Sequence, residues 1–270
     1  MNTWQIDSKE QVGLKTGEEV SWINIADEAT TGHLKAIVQP VKRASQINPQ
    51  RATHAINKSF DRWGLPREIK IDNGYPFVNP HYMDIPSKSK MWWIGLGINV
   101  IQNTPGRPQE NGAVECLQGV CCRWVNPAKI ESLEKLQSEL DEISDFQRND
   151  YRIPAKSYKT RIQMYPELEQ KARPYHPDLF DIDRVYQFLA TQIWERRVKQ
   201  KGSTHFFGQE IYLSVRFKNQ DVYITFDPHS KQWVFRSANG NHLKSSVQAV
   251  PNEKQIKEFA IMSKNLDTKI

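Results

Sequence analysis

The chain has 270 residues, 38% of them hydrophobic and 10% aromatic, enough for one large domain or two modest ones and too apolar for wholesale disorder. No stretch approaches the roughly 20 uninterrupted apolar residues of a membrane-crossing helix, and MNTWQIDSKEQ lacks the pattern of a secretory signal, so a cytoplasmic protein is expected. The net charge of +6 is uneven: residues 1–170 hold 21 basic and 21 acidic side chains and residues 171–270 hold 16 and 10, which suggests that the carboxyl-terminal part meets a polyanion.

In chain order, TWQIDSKEQV alternates, with Trp4, Ile6 and Ser8 on one side and Gln5, Asp7 and Lys9 on the other, as in a strand. EEVSWINIADEATTGHLKAIVQP gives two further strands about the turn DEATTG. In NPQRATHAINKSFDRWGLP, Ala52, Ala55, Ile56, Phe60 and Trp63 recur at helical spacing, and Gly64 and Pro66 stop the helix. REIKIDNG is a short strand, PSKSKMWWIGLG a capped helix and INVIQNTP a strand. QENGAVECLQGVCCRWV is a helix with Val114, Leu117, Cys121 and Trp124 on its inward stripe. Cys116, Cys121 and Cys122 lack the spacing of a zinc site or a disulfide framework and read as small buried side chains.

Three strands, helix, strand, helix, strand, helix is the order of an α/β layer with a mixed sheet. A helical stretch follows in 129–170, and ARPYHPDLFDID has linker composition. Beyond it, β runs over Gln209–Phe217, Gln220–Asp227 and Gln232–Ser237 have the spacing of a small barrel, and the last 20 residues read as a polar, loosely helical tail. The expected division is a core over 1–170 with a helical extension, a linker over 171–184, a small barrel over 185–250 and a tail over 251–270.

Three acids stand out by position: Asp7 on the first strand, Asp72 at the end of the fourth, and Glu115 on the helix after the fifth. Singly, each has a structural reading: an edge-strand solvating residue, the first residue of an Asx turn, a first-turn acid favoured by the helix dipole. Together, at strand ends and a helix start, they mark where open α/β sheets build sites. Carboxylates gathered there repel unless divalent cations neutralise them, and Mg²⁺ suits a few hard oxygen ligands plus substrate phosphate.

WQIDSKE, IKIDNGYPFVNP and TPGRPQENGAVE, taken together, resemble the catalytic core of retroviral integrases and of the DDE transposases of bacterial insertion sequences. That resemblance covers roughly residues 1–165. It implies a ribonuclease H-like fold with a five-stranded mixed sheet, and a following SH3-like barrel. It further implies that Asp7, Asp72 and Glu115 hold two Mg²⁺ or Mn²⁺ ions and that the reaction is phosphodiester cleavage and strand transfer on double-stranded DNA by a dimer or higher homo-oligomer. Asn73, Gln109 and Asn111 would offer neutral hydrogen bonds near the phosphate, Gly112 a close approach to metals and DNA, and Pro105 and Pro108 stiffness. Where the family carries bases after its Glu, this helix has only Arg123. DNA-backbone contacts are therefore also expected from Arg196, Arg197, Lys199, Lys201, Arg216 and Lys218 of the barrel. Asp7 stands six residues from the start, so recognition of DNA ends is expected from another polypeptide, or the chain is a truncated element that survives as a non-catalytic DNA-binding protein. A nuclease that cleaves without joining is the third reading.

Overall fold

The computed structural model describes residues 2–41, 46–78, 82–104, 112–171 and 173–261. Strands β1 (Thr3–Gly13), β2 (Glu19–Asp27) and β3 (Gly32–Pro40) form an antiparallel meander, and β4 (Glu68–Ile71) and β5 (Asn99–Gln102) extend it in parallel from the other side of β1. The five-stranded order is β3-β2-β1-β4-β5. This mixed sheet with helices on both faces is the ribonuclease H-like arrangement.

The two faces follow from strand alternation. Trp4, Ile6, Ile69 and Ile71 face a large core closed by α1 (Pro49–Trp63) and α2 (Lys88–Gly95). Asn48 caps α1 by accepting from the Gln50 and Arg51 N–H groups, Pro49 starts it, and Gly64 ends it; all five residues of the sequence stripe are buried. On the opposite face, Val20, Trp22 and Ala36 pack against α3 (Gly112–Trp124) and α4 (Leu133–Asn149) through Cys121, Leu136 and Leu140. His33 is buried there, its Nδ1 3.0 Å from Ser144 Oγ, and burial beside the Arg148 guanidinium pushes its pKa down to about 3.

Two expectations for α3 need correction. Trp124 is 42% exposed, in edge contact with Phe146 and tilted against Tyr151, because the inward position falls to Val125. Of the three cysteines, only Cys121 is buried, since Cys116 and Cys122 lie on the outer arc of the helix.

Residues 173–184 have the composition of a linker but lie strapped to the core. The Leu65 N–H donates to Arg173 O, the Arg173 guanidinium donates to Pro66 O and Gly97 O, and Phe180 stacks on Trp92 at 5.0 Å. After α5 (Arg161–Met164), α6 (Ile182–Ala190) crosses the expected linker boundary and leads into β6 (Trp194–Arg197). The β-rich part consists of a four-stranded antiparallel sheet, order β11-β10-β9-β6, and a β7-β8 hairpin. Its strands are β7 (Ser203–Phe206), β8 (Gln209–Tyr212), β9 (Asp221–Asp227), β10 (Gln232–Ser237) and β11 (His242–Ser246). The expected run Gln209–Phe217 ends early as a strand, because Ser214 caps a short 3-10 turn over Val215–Phe217. The polar tail includes a regular helix, α7 (Glu253–Ala260), which buries Ile256 and Ala260 against α1 and α2. No helix among the described residues is long and apolar enough to cross a membrane.

Candidate active site

Asp7 lies on the central strand of the sheet, which removes its reading as an edge-strand solvating residue. The parallel strand β4 pairs only with the first part of β1, Thr3 to Ile6, so Asp7 is the first residue beyond that pairing. Ile6 pairs with Ile71, and the same register carries Asp7 and Asp72 side by side at the carboxyl edge of the parallel strands. The side chains of Gln5 and Asp7 point to the face covered by α3, because their β2 partners are Ala26 and Asn24 and Ala26 packs on Val114 and Leu117.

Helix α3 is anchored to this edge from a distance. Gln5 Oε1 accepts from the N–H groups of Ala113 and Val114, both at 3.1 Å, so a side chain of β1 caps the helix that carries Glu115. The cap fixes the first turn of α3, in which Glu115 stands exposed.

The pKa directions follow from burial and from neighbouring acids. Burial raises the Asp7 pKa to about 6, with further upward pushes from Asp72 and Glu115; the Ser8 N–H and Lys9 oppose them. Asp72 is raised by burial and moderated by the Gly74 N–H. Glycine permits that approach: a Cβ at Gly74 would lie 2.7 Å from Asp72 Oδ2. Glu10, within the β1 bulge between Lys9 and Val12, is also raised, by burial and by Asp72. Among the described residues, no three His, Cys, Asp or Glu side chains are drawn into a ready-made metal cage. The acids form an open arrangement of hard oxygen donors, a donor type that suits Mg²⁺ or Mn²⁺ with its own waters.

The other expected residues fall into groups. Asn73 is occupied within the chain, its Nδ2 donating to Asn103 O at 2.6 Å. Gln109 and Asn111, with Pro105 and Pro108, lie outside the described residues. A Cβ on Gly112 would meet nothing within 4 Å, so protein packing does not demand glycine there. Arg123 is exposed at the far end of α3, about 12 Å along the helix from Glu115.

In the β-rich part, Arg196 is committed to Asp84 at 2.7 Å and lies over the Phe206 ring, and Arg197 pairs with both oxygens of Asp221. Lys199, Lys201, Arg216 and Lys218 are exposed. They share one edge, because Leu213 and Ser214 donate to Gly202 O and Asn219 donates to Val198 O. Gly202, at φ +78°, makes this possible, since a Cβ there would lie 2.4 Å from the Val215 nitrogen. Gln5 and Asn24 escaped sequence reading. The only signal for them was their placement two residues before Asp7 and on the neighbouring strand.

No family model matches the chain, and no curated protein matches it. Among solved structures, a chain of the simian T-cell lymphotropic virus intasome in complex with PP2A regulatory subunit B56 gamma is similar, at 13% identity and TM-score 0.46, over 92% of this chain and 76% of that one. The HTLV-2 integrase catalytic core domain in complex with magnesium (dimeric form) is similar at 12% identity and TM-score 0.41, over 61% and 94%. The BIV integrase catalytic core domain follows at 16% and 0.40, over 62% and 94%.

Proposed function

We propose that the chain is a metal-dependent DNA strand transferase of the integrase and DDE transposase kind, with Asp7, Asp72 and Glu115 as its acidic triad. The observation that supports this reading is the neighbouring of Asp7 and Asp72 on the central strands, with the helix that bears Glu115 capped from the same strand. Placing mutually repelling carboxylates together costs stability, a cost that a cation-dependent site accounts for.

Asp7, Asp72 and Glu115 offer hard carboxylate oxygens, the donor type for divalent cations such as Mg²⁺ or Mn²⁺, and would hold two such ions. When bound, such ions supply activation of the attacking oxygen and stabilisation of the leaving one. The chain's own residues orient the ligands: the Ser8 N–H holds Asp7, the Gly74 N–H holds Asp72, and Gln5 holds the turn bearing Glu115. Transfer by in-line attack of water or a DNA 3′-hydroxyl requires no covalent enzyme intermediate, and so no nucleophilic side chain.

We assign to residues 185–250 the role of a DNA-backbone-binding module of SH3-like kind, acting through Lys199, Lys201, Arg216 and Lys218. Joining two DNA ends calls for a homo-oligomer on DNA, in the cytoplasm or wherever that DNA is met. The test is nicking and strand transfer on labelled duplex DNA with Mg²⁺ or Mn²⁺, wild type beside Asp72→Asn and Glu115→Gln. Metal-dependent products, lost in both variants, are expected. DNA binding with no product in any protein would leave a non-catalytic DNA-binding element in place of the transferase.

A further inference from the structure

Four side chains stand in a row across the central strands. Asn24 on β2 pairs directly with Asp7 on β1. Asp72 follows in register beyond Ile71, and Asn103, whose N–H donates to Ile71 O at 3.0 Å, follows beyond Gln102 on β5. Two carboxylates are thus flanked by two carboxamides.

The amides are in unusual condition. Asn24 is fully buried, and among the described residues neither its Nδ2 nor its Oδ1 has a hydrogen-bond partner; Asn103 Oδ1 is likewise buried and unpaired among them. Buried amides in folded chains are nearly always paired, because desolvation without a partner is costly. An apolar side chain at position 24 would avoid that cost, as Val20 and Ala26 do on the same face of β2. Something other than packing therefore accounts for an amide there. Directly paired residues of antiparallel strands project from the same face about 5 Å apart, which puts the Asp7 carboxylate within reach of the Asn24 side chain.

We propose that Asn24 is a positioning residue for Asp7: its Nδ2–H, unpaired among the described residues, would donate to the Asp7 carboxylate once a divalent cation is bound and so fix that carboxylate's rotation. The inference rests on the reading of Asp7 as a metal ligand. Partners of this kind, one step removed from the metal, tune affinity by about 10–100-fold.

Mn²⁺ affinity measured calorimetrically on the full chain tests it, comparing wild type, Asn24→Val, Asn24→Thr and Asp7→Asn, each also melted in EDTA. Val and Thr share a shape and differ in one hydroxyl donor, so changes in packing cancel between them. The expected result is Mn²⁺ binding at least tenfold weaker in Asn24→Val, partly restored in Asn24→Thr, with the Val variant melting no lower than wild type in EDTA. Should either fold poorly, Asn24→Leu replaces Val in the comparison. Equal Mn²⁺ affinity in wild type and both Asn24 variants, with binding lost in Asp7→Asn, overturns the role of Asn24 alone. Unchanged binding in Asp7→Asn overturns the metal-ligand reading and the inference with it.

Discussion

At the scale of single residues, Asp7 and His33 pull stability in opposite directions with pH. The folded chain holds the Asp7 proton to about pH 6, against an ordinary value of 3.8, so the folded state binds this proton more tightly than the unfolded one. Its contribution is fully present at low pH and is lost as pH rises through about 4 to 6. His33 behaves in the reverse sense. Its folded value near 3 lies below the ordinary 6.5, so its stabilising contribution holds above pH 6.5 and is lost as pH falls towards 3. Asp7→Asn is therefore expected to gain roughly 1–2 kcal/mol at pH 7.5, allowing for partial solvent access. With the compensating carboxylate gone, it should also lose stability on acidification more steeply than wild type. Urea denaturation at pH 4.5, 6 and 7.5 checks both, and parallel profiles for the two proteins would exclude the coupling. Asp7, Asp72 and Glu115 stood out as single letters by their places on the first strand, after the fourth and in the first turn of a helix. The shift that makes them informative was not legible, since it depends on burial and on neighbours 65 and 108 positions away.

At the scale of elements, the strands and helices of residues 1–150 were legible because their patterns are strong and local: alternation in β1, the Ala52–Trp63 stripe and its glycine stop in α1. What sequence could not supply was how α3 is held. Its cap comes from Gln5, more than a hundred residues earlier, and a polar residue on an alternating strand carries no mark of that role. Misreading Trp124 has a related cause. Helical spacing gives positions 124 and 125 nearly equal claim to the inward face, and the fold chooses Val125. Gln5→Ala removes the acceptor of both N–H groups and is expected to cost about 1 kcal/mol, the usual value of a helix cap. Because Glu115 lies in the turn thus freed, strand transfer should fall by more than the stability loss explains. Hydrogen exchange gives the direct measurement: the Ala113 and Val114 amides should exchange faster in the variant, and unchanged protection there would rule out the capping role.

At the scale of the whole molecule, the β-rich part is tied back to the core rather than tethered to it. Asn57 accepts from Trp92 Nε1 and donates to Ala260 O, and Trp194 Nε1 donates to Asp84 O. Pro-rich composition suggested a free linker, because it reports local chain stiffness and says nothing about a stacking partner such as Trp92. The same tie divides the basic residues that the charge asymmetry singled out. Arg196 is spent on Asp84 and Phe206, whereas Lys199, Lys201, Arg216 and Lys218 share an exposed edge. These two groups should separate in DNA binding. Each phosphate deprived of its cationic partner makes the slope of log affinity against log salt shallower by about 0.9 on duplex DNA, so replacing all four edge residues by alanine should flatten it by up to about 3.6 and weaken all sequences alike. Arg196→Ala should leave the slope nearly unchanged and lower the melting temperature instead, because it strands Asp84 at the seam between core and sheet without its counter-charge. Fluorescence anisotropy on duplex DNA from about 50 to 200 mM salt, with thermal melts of the same proteins, distinguishes them. A slope that falls for Arg196→Ala and holds for the edge variant would move the DNA-binding face from this edge to the seam between core and sheet.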